Sequence, residues 1–405
     1  MLIDLNKPTK IHKEMKLAGE CFIDLIEYCH KLAIYNGEFN GDSFLKVRKY
    51  KKYRNCCLMQ HQDAMQNRIK ELFDGIPSTI MPSVISFLKS DLNYARGHTN
   101  GAFQFSGYLD GLNFPVMFTK KGEEQIIDTL SKVFGKLYRD FFDHKATGAQ
   151  HNNRERFKNE YFIMNSQRKK VCPACLGLFS FGDSQLDHYF PKSLFPALVI
   201  QPYNLVPICS KCNSTIGNKA TQGKGDRVPA WPSNTYAINS PGCLTSIYLP
   251  YIRSAENKII SELSGYPGNR KVKIKALSSV NPIENDRIER HVVTFNLEKV
   301  WTDRIPHHFN ILMEAVRKEF EANYIKDQSL SKEEVRHFIY EKLVAPTNKE
   351  YVYNTAYQFE YINYVSAIAT VSESFDPFYE ELERELNESR KKARKKELKD
   401  RLNKA

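Results

Sequence analysis

Hydrophobic residues recur three and four positions apart over long stretches of this chain. Leu17, Phe22, Leu25, Ile26 and Cys29 keep that spacing, and so do Ile126, Ile127, Leu130, Val133, Phe134 and Leu137. Each set predicts an amphipathic helix, since residues at i, i+3 and i+4 share one helical face. Between them, Gly97-His-Thr-Asn-Gly101 through Gly107 and Gly111 predicts a loop. Gly148-Ala-Gln-His-Asn-Asn153 is a polar break of linker character, and helical charge returns at Arg154, Glu155, Arg156 and Lys158. A second loop region spans 226–250 and carries Pro229, Pro232, Pro241 and Pro250.

The period then changes. Val272-Lys-Ile-Lys-Ala276 alternates and predicts a strand, and the β-branched run His291-Val-Val-Thr-Phe-Asn-Leu297 predicts another. From Pro306 the pattern is helical again. Ser331-Lys-Glu-Glu334 has the form of a capping box opening a helix through Val335, Phe338, Ile339 and Leu343, with Pro346 past its end. A further helix starts near Thr355 with Phe359, Ile362 and Val365, and a charged helix follows from Tyr379. The expected fold is α+β and mainly helical. A helical N-terminal domain over 1–150 precedes a small module at 151–225. A mostly helical C-terminal domain with a few strands fills 226–405.

With 405 residues, 41% of them hydrophobic, the chain can bury a sizeable core. No run of about 18 apolar residues occurs, so a membrane span is not expected. The N-terminus Met1-Leu-Ile-Asp-Leu-Asn-Lys-Pro8 lacks the basic and apolar regions of a signal peptide. The net charge of +12 favours an anionic partner, nucleic acid first among them. Much of that charge sits in residues 390–405, where nine Lys and Arg face only Glu397 and Asp400. This tail is either a phosphate-binding arm or a solvated terminal helix. A second basic group, Lys46, Arg48, Lys49, Lys51, Lys52 and Arg54, surrounds Tyr50 and Tyr53. It has the composition of a stacking, backbone-tracking patch, but an ordinary exposed helix face explains it slightly better.

The cysteines change the picture most. Cys172-Pro-Ala-Cys175 and Cys209-Ser-Lys-Cys212 are two Cys-x-x-Cys knuckles, each able to aim two thiolates at one ion. Together they fill a tetrahedral Zn²⁺ shell, and a shell with no open position is structural. Cys21, Cys29, Cys56, Cys57 and Cys243 show no framework spacing and are expected as reduced thiols in a cytoplasmic protein. His98, His151 and His307-His308 have no partners at ligand spacing. The gap between the knuckles, residues 176–208, exceeds the roughly 15–20 residues of a simple two-knuckle site.

That gap contains an acid, a base and an amide. Ser184-Gln-Leu-Asp-His188 predicts a strand ending in Asp187 and His188, and Tyr189–Ser193 turns away from it. Asn204-Leu-Val-Pro-Ile208 predicts the return strand, and Ser210–Ile216 a short helix closed by Gly217. A hard cation such as Mg²⁺ or Mn²⁺ takes oxygen ligands and keeps several waters, so Asp187 and Asn213 suffice to hold one. His188 then suits a general base near neutral pH.

Asp187-His188, Asn204 and Asn213 set between paired knuckles resemble the HNH endonuclease family, the zinc-stapled ββα-metal nucleases. The resemblance covers about residues 170–220 and is closest over Asn204-Leu-Val-Pro-Ile-Cys-Ser-Lys-Cys-Asn-Ser-Thr215. It implies that His188 deprotonates the attacking water and that Asp187 and Asn213 are the ligands of the catalytic metal. It implies that Asn204 braces the loop and the histidine, and that Lys219 meets phosphate. Lys192 and Arg168-Lys169-Lys170, beside the module, are further candidate nucleic-acid contacts. The implied reaction is phosphodiester hydrolysis leaving 5′-phosphate and 3′-hydroxyl ends, on DNA before RNA. The layout, with Asn285-Asp-Arg-Ile-Glu-Arg-His-Val-Val-Thr-Phe-Asn-Leu297, loosely resembles long HNH proteins that accompany ATPases in bacterial antiphage systems such as Septu. That implies a partner ATPase and a defence role. The alternatives on the same residues are an RNA-cutting HNH nuclease and a zinc-stabilised nucleic-acid-binding protein with an inactive site.

Overall fold

The computed structural model describes residues 1–92, 120–142, 153–166, 171–189, 196–214, 248, 250–264, 269–326, 330–346, 352–353 and 355–403. The glycine-rich stretch 97–111, most of the 148–153 break and of the 226–250 loop, and Cys243 lie outside these residues. So do Lys192, Lys219 and Arg168-Lys169-Lys170. The chain is mainly helical, and the described residues hold two small antiparallel pairs, β1 (Ser184–His188) with β2 (Leu205–Cys209) and β3 (Ile259–Ser264) with β4 (Lys271–Ala276). Among the described residues, no helix is long and apolar enough to cross a membrane. Two compact units emerge. One comprises Met1–Ala174, Phe179–Glu256 and Asn281–Phe295, the other Cys175–Leu178, Asn257–Val280 and Asn296–Ala405.

The first unit is organised by the helices Thr9–Lys31 and Lys120–Phe142. The former buries Ile11, Met15, Ala18, Phe22, Leu25, Ile26 and Cys29, the face its spacing announced. The latter buries Leu130, Val133, Phe134, Leu137 and Phe141 in the same core. Gly19 lets the first helix pass close to the segment Pro196–Ile200. A Cβ there would lie 3.1 Å from Leu92 and 3.2 Å from Ile200. That close approach fixes the segment against which the candidate site is built.

The second unit pairs β3 (Ile259–Ser264) with β4 (Lys271–Ala276), Leu263 opposite Val272. Val272 and Ile274 are buried while Lys271, Lys273 and Lys275 face solvent, as the alternation predicted. Its helical core gathers Leu312, Val316, Val335, Ile339, Val365, Ile368, Phe375 and Phe378. Ser331 caps its helix as expected, its side chain accepting from the Glu334 N–H at 3.3 Å. The last helix runs Ser372–Leu402. Leu386 is its last buried residue among those described, so the basic tail is an exposed helical half.

One expectation fails. His291–Leu297 is not a strand. A helix spans Pro282–Thr294, and another spans Leu297–Thr302. Asn281 caps the first through the Glu284 N–H at 2.9 Å, with Pro282 in its first turn. Ile288, His291, Val292 and Phe295 are all buried. Three- and four-residue spacing therefore outweighs the strand preference of Val292 and Val293, because strand preference reflects packing more than intrinsic backbone bias.

Candidate functional site

The insert between the knuckles folds as a hairpin. β1 (Ser184–His188) pairs antiparallel with β2 (Leu205–Cys209), Asp187 opposite Val206 and His188 opposite Leu205. β2 tolerates Pro207 because a two-stranded ladder consists only of edges. A helix, Ser210–Ser214, follows β2 at once. Ile216 and Gly217 lie outside the described residues.

Backbone carbonyls of one short helical segment, Pro196–Ile200, organise the hairpin's polar groups. The Nε2 of His188 lies 3.1 Å from the Val199 carbonyl. A carbonyl only accepts, so Nε2 carries the proton and Nδ1 the lone pair in the neutral ring. Tyr138 flanks the same imidazole at a centroid distance of 4.8 Å. Asn204 is fully buried and donates from Nδ2 to the Leu198 carbonyl at 3.0 Å. Its own carbonyl accepts from the Tyr189 N–H at 2.7 Å. Asn204 and His188 thus grip adjacent carbonyls of one segment. Tyr251 closes the other side, donating from its hydroxyl to the Leu205 carbonyl at 2.8 Å.

Asp187 is buried, with 6% of its surface exposed. Strand alternation puts it on the same face as Gln185. The Nδ2 of Asn213 donates to Gln185 Oε1 at 2.6 Å, tying the short helix to that strand. Burial, with the Asp187 carboxylate nearby, pushes the Tyr189 phenol well above its ordinary range, so Tyr189 stays neutral.

Beside the hairpin the four knuckle thiols converge. Sulfurs of Cys172, Cys175, Cys209 and Cys212 all lie within 4.8 Å of one another, and this group can hold a metal ion. Cys172, Cys175 and Cys212 are buried and Cys209 is half-buried. The Cys209 N–H points at Cys172 Sγ at 3.4 Å, a donor suited to a thiolate. The Leu2 N–H and the His291 ring hold the first knuckle by the carbonyls of Pro173 and Ala174, at 2.8 and 3.2 Å. Cys21, Cys29 and Cys56 are buried free thiols, and Cys57 is half-buried and free. Burial pushes the Cys29 thiol up to about 12, which keeps it inert.

The tyrosine-bearing basic stretch is no stacking surface. Tyr50 and Tyr53 are buried, and Tyr50 stacks on Phe44 at 4.4 Å. The Tyr53 hydroxyl donates to Asp24 at 2.6 Å, and Lys52 and Lys49 pair with Glu20 and Glu27. His308, without a partner at local spacing, gains one from far along the chain. Its Nε2 lies 3.5 Å from Glu360 Oε2, longer than a good hydrogen bond, with both side chains buried. Glu360 also pairs with Arg304. Nothing local in the sequence announces Tyr138 beside His188, or Arg304 and Trp301 at Cys175, because these contacts join residues 50 to 129 positions apart.

No protein-family model, curated protein or solved structure gives a significant match to this chain.

Proposed function

We propose that the chain is a metal-dependent endonuclease of the HNH type, hydrolysing phosphodiester bonds in DNA. One observation carries the reading. A strand ending in Asp187-His188 pairs with a strand that leads directly into a helix bearing Asn213, and Asn204 pins the segment against which His188 rests. In this ββ-helix unit, β1 carries the acid and the imidazole and the helix after β2 carries the amide.

The roles follow from the chemistry of each group. Nε2 of His188 is committed to the Val199 carbonyl, which sets the ring's tautomer and orientation. Nδ1 is then the basic nitrogen, and it takes the proton of the attacking water. Asp187 and the Oδ1 of Asn213 are the oxygen donors that would hold Mg²⁺ or Mn²⁺, while Gln185 occupies the amide's Nδ2. Such an ion supplies charge neutralisation at the phosphate and the leaving oxygen. Asn204 acts as a brace, since its side chain is spent on Leu198. The buried four-thiolate set suits Zn²⁺, a soft-tolerant ion of tetrahedral preference, in a structural role.

The test is incubation of supercoiled plasmid with the protein and Mg²⁺ or Mn²⁺, beside the same protein carrying His188→Ala and beside a labelled RNA. Nicked or linear plasmid from the wild type, and none from His188→Ala, is the expected result. Cleavage surviving His188→Ala, or absent from the wild type with every metal, would sink the reading. Faster loss of the RNA would transfer the activity to the other nucleic acid.

A further inference from the structure

Cys175 lies under a cationic clamp that the candidate nuclease site does not use. The Nη2 of Arg304 points at Cys175 Sγ at 3.5 Å, and its Nη1 donates to the Cys175 carbonyl at 3.2 Å. Trp301 donates from Nε1 to the same carbonyl, also at 3.2 Å. Glu360, 4% exposed, pairs with Arg304 and fixes the guanidinium. Tyr357 stacks on it at 4.7 Å and donates its N–H to the Leu176 carbonyl at 3.0 Å. Gly177 leaves the room this needs. A Cβ there would meet Arg304 Nη2 at 2.8 Å and Cys175 Sγ at 3.3 Å.

A largely buried guanidinium, 13% of its side chain exposed, aimed at a sulfur has a specific consequence. A metal held by four thiolates carries excess negative charge in a dry site, and each N–H donor to sulfur offsets part of it. The Cys209 N–H does this for Cys172, with a neutral donor. Arg304 does it for Cys175 with a charged one. We infer that Arg304, oriented by Glu360, is an outer positioning residue of the four-thiolate site that sets its affinity for Zn²⁺ through the Cys175 thiolate. This rests on the zinc reading above and concerns a residue 129 positions from the thiol it serves.

The test uses the full chain with Arg304→Lys, and a second protein carrying Arg304→Met with Glu360→Met. The double change removes both donors without leaving an unpaired buried carboxylate, and replacing a buried ion pair by apolar residues often preserves the fold. Two quantities are read. One is the Zn²⁺ half-point against a chromogenic chelator. The other is the sulfur-to-metal charge-transfer band of the Co²⁺-loaded protein, which reports hydrogen bonds to sulfur. The double variant should bind Zn²⁺ about 10- to 100-fold more weakly. Its Co²⁺ band should move to longer wavelength, because sulfur lone pairs rise in energy when the N–H donors leave. Arg304→Lys should fall between it and the wild type. An unchanged half-point with an unchanged band overturns the role of Arg304 while leaving the metal site intact. A wild-type chain showing no thiolate–cobalt band and no bound Zn²⁺ overturns the zinc reading itself, and the inference with it.

Discussion

Two regions of the molecule set a histidine by a residue that bears a carboxylate, one half-buried and one fully buried, and hold it in different ways. In the β1–β2 hairpin, Asp187 and His188 are sequence neighbours, and the ring is held by the Val199 carbonyl and Tyr138. In the second unit, His308 faces Glu360, which Arg304 also engages, and the three close on one another. The first arrangement spends one ring nitrogen on a backbone carbonyl. The second balances charge inside the core, and burial raises the Glu360 carboxyl although His308 and Arg304 draw it down. A histidine beside an acid is therefore not a site in itself. What it is bonded to decides.

The sharpest way to break this comparison is to remove the thiolate frame beside the hairpin. Cys209→Ser should abolish Zn²⁺ retention and unfold the hairpin, since structural zinc supplies folding free energy on the order of 10 kcal/mol. Metal analysis and circular dichroism would read this, and a stable, active Cys209→Ser protein would remove the structural role. Next comes His188→Ala, expected to lower the cleavage rate by about 10²- to 10⁴-fold with the fold retained. Glu360→Leu probes the other histidine. It should cost about 3–5 kcal/mol in denaturant unfolding, because Arg304 loses its carboxylate partner in a largely buried place. Zn²⁺ binding should weaken with it, since Glu360 orients Arg304 at Cys175. If instead Glu360→Leu were neutral in stability, the closed cluster would not be the charge-balanced core described above.

Smaller effects sharpen the contrast. Asn204→Ala leaves the Leu198 carbonyl without its side-chain donor and should cost about 1–3 kcal/mol. A third histidine, His12, has neither kind of partner among the described residues. It is buried among Phe157, Tyr203 and Tyr251, and burial, with Lys7 adding to it, pushes its imidazole down to about 3. Above pH 6.5 the ring is neutral in both states. Between that value and about 3 only the unfolded chain takes the proton, so stability is lost as pH falls through this window. The slope is about 1.4 kcal/mol per pH unit at most. His12→Phe should flatten that part of the profile, as urea unfolding at pH 7 and pH 5 would register. Parallel losses in both proteins would mean that His12 is not held neutral.

Local pattern carried much of this molecule. Helical spacing marked the helices at Thr9–Lys31 and Lys120–Phe142, and alternation marked β4. The hairpin was legible because its strands are 5 residues each and end on marked residues, Asp187-His188 and the Cys209 knuckle. Knuckle spacing brought out the four thiols, whose convergence needs only two short loops and one hairpin. His291–Leu297 misled because β-branched residues serve a strand or a buried helix face equally well, and packing chose the helix. The Tyr50 and Tyr53 stretch left its role open for the same reason, until Phe44 and Asp24 took up the rings.

By itself, then, the sequence determined the local units: which stretches are helical, where the hairpin lies, and which four thiols can meet. These depend on residues within a few turns of one another. Only the tertiary structure decided what each polar group touches. Val199 and Tyr138 at His188, Glu360 at His308 and Arg304 at Cys175 are brought together by core packing. The physical reason is that such contacts form only when distant apolar faces leave water together, and no spacing rule along the chain records which faces will meet.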